Sequence, residues 1–139
     1  MTDSALSLLG LALRGGNLAV GEEPVAEACK TRRARLALTA SDASLNTVER
    51  AQRWAEASGV PWAEAPWDKA ALGLALGRST CAMAALTDSG LAEALAKKLA
   101  QADEKYQPLW DKLAREAPRN PRPTKKKKPR AQKPAFREI

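Results

Sequence analysis

Four short apolar segments, residues 17–20, 35–40, 60–64 and 80–86, alternate with longer stretches whose apolar positions recur every three to four residues. Few folds accommodate that alternation. A strand that is apolar on both sides must be covered on both faces, and intervening helices supply the cover. The chain has 139 residues, of which 45% are apolar, so a single domain can bury a core. The expected architecture is α/β: one three-layer α/β/α sandwich with a four-stranded sheet over residues 1–100. A helical extension is expected over 101–117 and a disordered basic tail over 118–139.

Local signals set the elements in the order α-β-α-β-α-β-α-β-α. Leu6, Leu9 and Leu13 form one helical stripe over residues 4–14, and Gly15-Gly16 ends it. Gly21 breaks the first strand, and Pro24 sits in the first turn of the next helix, where its missing N–H is harmless. Asn46-Thr47-Val48-Glu49 has capping-box spacing with Asn46 as the cap, and Gly59 stops that helix. Pro61 marks the third strand as a start or an edge. Asp68 and Asp88 are expected caps of the two later helices. Pro108 predicts a bent or broken helix hanging off the body. Trp62 and Trp67, both beside the third strand, read as core.

Several chemistries are excluded. The chain has no histidine, which removes imidazole metal sites and the commonest general base. Cys29 and Cys81 lie far apart among apolar neighbours and read as two buried free thiols of a reducing compartment. Asp42 and Asp88 are the one acid pair that could meet at strand ends, yet both read more simply as caps. No cofactor, metal or catalytic role is expected. No apolar run reaches the roughly 18 residues a membrane helix needs. Met1-Thr2-Asp3 lacks the basic start of a secretory signal. A cytoplasmic monomer is expected.

Charge is unevenly distributed. Residues 118–139 hold nine basic residues and one acid, whereas residues 1–117 hold 14 basic and 15 acidic ones. The densest run is Lys125, Lys126, Lys127, Lys128 and, after a proline, Arg130. Such a run attracts polyanions by counterion release, but lysines on phosphates do not discriminate bases. It is read as a nucleic-acid-binding arm; a solubilising tail or an address signal would look the same. Lys30, Arg32, Arg33 and Arg35 put four cations into six residues near a helix C-terminus. Matching the helix dipole accounts for one or two of them better than for four, which leaves a phosphate-facing role.

Three loops are candidates for a shaped interface. Gly21, Glu22 and Glu23 lead from a strand into a helix, where free N–H groups point outward. The two glutamates favour the helix dipole and can also accept from base amino groups. Ser41 and Asp42, within Ser41–Ser44, and Arg78, Ser79 and Thr80, after Gly77, are small polar turns. Small residues admit an RNA backbone, and Arg78 can stack or pair with phosphate.

Taken in order, Leu9-Gly10-Leu11-Ala12-Leu13-Arg14-Gly15-Gly16, Val20-Gly21-Glu22-Glu23, Arg35-Leu36-Ala37-Leu38-Thr39-Ala40-Ser41-Asp42-Ala43-Ser44, Leu72-Gly73-Leu74-Ala75-Leu76-Gly77-Arg78 and Ala84-Ala85-Leu86-Thr87-Asp88 resemble the ribosomal L7Ae/L30e superfamily of RNA-binding proteins. The nearer likeness is to its bacterial YlxQ-like branch. The resemblance covers Leu8–Leu99 and implies the same sandwich and binding to structured RNA, in many members the kink-turn. Kink-turn binders carry a Gly-x-Asn-Glu-x-x-Lys pattern at the second helix. Laid on Gly21, its last three defined positions become Glu23, Pro24 and Glu27.

The expected function is that of a non-enzymatic RNA-binding protein, associated with ribosomes or translation. Loops on the body would dock a bent or kink-turn-like RNA, and the tail would clamp nearby phosphates. The alternative is a protein-interaction adaptor whose tail adds only non-specific nucleic-acid attraction.

Overall fold

The structure, a computed structural model, describes residues 2–119. The run Lys125–Lys128 and Arg130 lies outside them. The elements are α1 (Thr2–Arg14), β1 (Leu18–Val20), α2 (Glu22–Lys30), β2 (Leu36–Thr39), α3 (Leu45–Ser58), β3 (Trp62–Glu64), α4 (Lys69–Ala75), β4 (Met83–Leu86) and α5 (Ser89–Ala102). A 3-10 turn, Glu104–Tyr106, then leads into α6 (Gln107–Arg119).

The sheet order is β1-β4-β2-β3, with β4 antiparallel to both neighbours and β3 parallel to β2. Alternation along β4 divides the core in two. Ala84 and Leu86 face a leucine-rich layer with Leu9, Leu72, Leu95 and Leu99, formed by α1, α4 and α5. Met83 and Ala85 face the other layer, where Val25, Ala28 and Cys29 of α2 meet Ala51 of α3. The second layer is built largely of small side chains, which let α2 and α3 lie close to the sheet. The molecule is thus an α/β/α sandwich.

Most helix ends fall where local chemistry puts them. Asp68 accepts from Ala71 N–H at 2.8 Å and Asp88 from Leu91 N–H at 2.9 Å, and Gly59 closes α3 in the left-handed conformation. The start of α3 differs. Its cap is Ser44, which accepts from Thr47 N–H at 3.2 Å, so Asn46 lies inside the helix. Both residues are good caps; Ser44 stands where the extended backbone gives way to helix.

β4 is shorter than its apolar run. Residues 77–81 run back beside α4 instead of pairing, and Thr80 packs directly on Gly73. Trp67 is buried, while Trp62 is half-buried and donates its indole N–H to Thr39 Oγ1 at 3.2 Å.

The C-terminal extension does not hang free. Pro108 is the second residue of α6, among the first four whose N–H groups have no intrahelical acceptor, so it breaks nothing. Tyr106 and Leu113 are buried in the leucine-rich layer. The Tyr106 hydroxyl donates to the Glu64 carbonyl at 2.6 Å, and Trp110 Nε1 donates to Glu93 Oε2 at 3.1 Å. α6 therefore folds back antiparallel along α5. It runs to Arg119, two residues past the boundary the sequence suggests.

Candidate nucleic-acid interface

β1, β2 and β3 all point the same way, and β4 opposes them. The C-terminal ends of the first three and the start of the fourth therefore share one end of the sheet, the loop end. Short backbone bonds tie its segments together. Gly21 N–H donates to Met83 O at 2.9 Å, Ala40 N–H to Ala82 O at 2.9 Å, Ser41 N–H to Trp67 O at 2.8 Å and Cys81 N–H to Lys69 O at 3.0 Å. Asp42 Oδ1 accepts from Lys69 N–H at 2.8 Å, which fastens the Ser41–Ser44 turn to the first turn of α4.

Gly21 takes φ 98° and ψ 167°, a region that only glycine enters at low cost. This turn lets the chain leave β1 and start α2 at once. Glu22 and Glu23 then occupy the first turn of α2, where negative charge offsets the unsatisfied N–H groups. Their side chains diverge. Glu22 Oε2 accepts from Arg50 Nη2 at 3.2 Å and lies 3.4 Å from the Thr47 hydroxyl, bridging α2 to α3. Both partners of this ion pair are about two-fifths exposed, so it is worth about 1 kcal/mol at most. Glu23 remains exposed beside Pro24 and Glu27.

Arg78, Ser79 and Thr80 are exposed on the segment that climbs beside α4 to the loop end. Its path is set by Gly73. A Cβ there would lie 2.6 Å from Thr80 Cα and 2.7 Å from Thr80 N. Arg78 N–H donates to Gly73 O at 2.7 Å, which fixes the segment's lower end. Gly21, Glu22, Glu23, Ser41 and Asp42 thus share one end, with Arg78, Ser79 and Thr80 on its flank.

Lys30, Arg32 and Arg33 are not part of this cluster. Lys30 ends α2 and Arg32 and Arg33 follow it, and Arg35 N–H donates to Leu86 O at the far end of β4. The nine residues of α2 span about 13 Å, so these cations sit at the opposite, basic end of the sheet. Asp42 and Asp88 are divided in the same way, the first at the loop end and the second at the start of α5 at the basic end. They cannot act as a pair.

Sequence reasoning did not find Thr47, Arg50, Trp67 or Lys69 as supports of the loops. Their partners lie 25 to 28 residues away or across a loop, and no short-range pattern encodes that. Cys29 and Cys81 are free and buried. Burial pushes both thiols up; at Cys81 the Met83 carbonyl and Arg78 partly oppose it. Among the described residues no cluster of His, Cys, Asp or Glu is placed to hold a metal, and no helix is long and apolar enough to cross a membrane.

The sequence matches the model of the "Ribosomal protein L7Ae/L30e/S12e/Gadd45 family" over residues 3–96, from α1 through most of α5. It is 34% identical over 88 residues to "RNA-binding protein YlxQ" of Bacillus subtilis (strain 168), covering 63% of this chain and 87% of that protein. A solved structure from Bacillus halodurans C, of a protein with unknown function, superposes with a TM-score of 0.62 at 30% identity. It covers 67% of this chain and 93% of that one. With its order of elements and its sheet, the chain belongs to the ribosomal protein L7Ae/L30e/S12e/Gadd45 family.

Proposed function

We propose that this chain is a non-enzymatic RNA-binding protein of the cytoplasm that docks a bent or kink-turn-like RNA at the loop end and works alongside the ribosome. The observation that carries this reading is the convergence of the Gly21–Glu23 and Ser41–Ser44 loops, with Arg78–Thr80 beside them, on one backbone-tied end of the sheet. Loops held this way form a shaped surface, and shape is what proteins read in non-helical RNA. The family and the name of the Bacillus subtilis relative support the same partner.

The loop end is not strongly cationic. Glu22 uses Arg50, Glu23 is exposed, and Asp42 accepts from Lys69 N–H. Affinity from charge must then come from elsewhere in the chain, chiefly from Lys125–Lys128 and Arg130, while the loops supply selectivity. Glu23, Pro24 and Glu27 stand where kink-turn readers carry other residues, so the loop end contacts its RNA through backbone and small side chains. The test is binding of the full chain to a kink-turn RNA and to a straight duplex of equal length, over a range of salt. A preference for the kinked RNA that persists as salt rises is expected. Equal affinity at every salt concentration would sink the shape reading. A protein partner surviving nuclease and high salt would favour the adaptor alternative instead.

A further inference from the structure

We propose that the basic end of the sheet is a second nucleic-acid-binding face, which grips the phosphate backbone of an RNA segment other than the one docked by the loops. This inference rests on the RNA-binding reading above. Lys30, Arg32 and Arg33 are exposed and Arg35 is half-buried. Among the described residues none of the four has a carboxylate within ion-pair distance, and the single ion pair there is Arg50–Glu22. Acids at this end include Asp88, the cap of α5, and Glu27, which lines one shallow cleft with Lys30 and Glu23 and another with Arg33, Gly16 and Thr87. Lys30, Arg32, Arg33 and Arg35 outnumber Glu27 and Asp88 and leave this end net positive.

The arginines are arranged, not merely present. Arg33 Nε donates to Thr31 Oγ1 at 3.2 Å, and Arg35 Nη1 donates to Arg32 O at 3.3 Å. Each guanidinium is thereby steadied by one N–H while its others stay available for the paired bonds that phosphate accepts. Arg32 sits at φ 64°, where asparagine or glycine would be less strained. Matching the dipole of α2 needs only Lys30, in its last turn. The three arginines lie beyond the helix and are left unexplained by it.

The path of α6 adds a second observation. Tyr106 is bonded at the loop end and Trp110 to Glu93, near the start of α5. α6 thus runs toward the basic end, and its 13 residues cover about 19 Å. The chain continues from Arg119 with eight more basic residues and one acid. The fold hands its most cationic segment onward at the end that already carries the arginines. An RNA engaging both ends must fold back along the α2–α3 side or present two separate segments.

The test uses the full chain and a triple variant, Lys30→Gln with Arg32→Asn and Arg33→Gln. A second variant, Arg32→Lys with Arg33→Lys, keeps the charge. On a straight RNA duplex, the slope of log affinity against log salt should fall by about 2–3 in the triple variant, at about 0.9 per phosphate contact. It should hold in the lysine variant. Hydroxyl-radical footprinting on a kinked RNA with two arms should show two protected segments for the parent. The triple variant should lose one of them and keep the other. An unchanged slope and footprint would overturn the second face while leaving RNA binding intact. So would uniform loss of both segments, or equal loss in the lysine variant. A parent that binds neither RNA would overturn both readings.

Discussion

Tyr106 is the chain's one tyrosine, and its hydroxyl is spent on a single bond to the Glu64 carbonyl. Burial, and then the negative charges of Glu64 and Asp103, push its pKa up to about 12 from an ordinary 10. The folded state therefore holds this proton more tightly than the unfolded chain does. Stability from this group is complete below pH 10 and is lost as pH rises from about 10 to about 12. The absorbance titration of tyrosinate reads one residue here, and its midpoint should lie well above that of the denatured chain. Tyr106→Phe should remove the titration and flatten the decline in melting temperature over that window. It should also cost about 1 kcal/mol at neutral pH by denaturant unfolding, the usual net value of one hydrogen bond. A midpoint at the ordinary value would mean that α6 does not close over β3.

At the scale of elements, α4 and the segment after it behave as one unit because Gly73 admits the backbone of Ser79 and Thr80. A methyl group there meets backbone atoms, which cannot swing aside. Gly73→Ala gains helix propensity of about 1 kcal/mol but overpacks a tight contact, which typically costs about 1–3 kcal/mol or more. A net loss of stability is expected, seen as a melting point lower by several degrees. If the loop end docks RNA, affinity should weaken with it, since Thr80 must move. Elements of this kind were partly legible beforehand. Asp68, Asp88 and Gly59 mark helix ends by chemistry that acts within four residues, so they can be read from the chain. The cap of α3 was displaced from Asn46 to Ser44 because two competent caps stand two residues apart. Cys81 is apolar enough for a strand, yet its N–H is bonded to the Lys69 carbonyl of α4 and not to the sheet. The grouping of the site was less legible still. Lys30 and Arg33 lie closer in sequence to Gly21 than Asp42 does, but the length of α2 carries them to the opposite end.

At the scale of the molecule, the sandwich separates shape from charge: tied loops at one end, unpaired arginines and the exit of the basic segment at the other. The same topology orders events in time. β4 is the inner strand that joins β1 to β2, pairing Leu86 with both Leu18 and Leu36. It is also the last strand to leave the ribosome. Until Met83–Leu86 emerges, β1 has no neighbour and cannot join the β2–β3 pair. A chain ending at Ala82 should melt without cooperativity and leave its tryptophans in water by fluorescence, whereas one carrying β4 and α5 should not. Closing the sheet by its final strand makes long-range contacts unavoidable, and such contacts slow folding. The nascent protein must therefore shelter about two-thirds of its buried apolar residues before its keystone arrives.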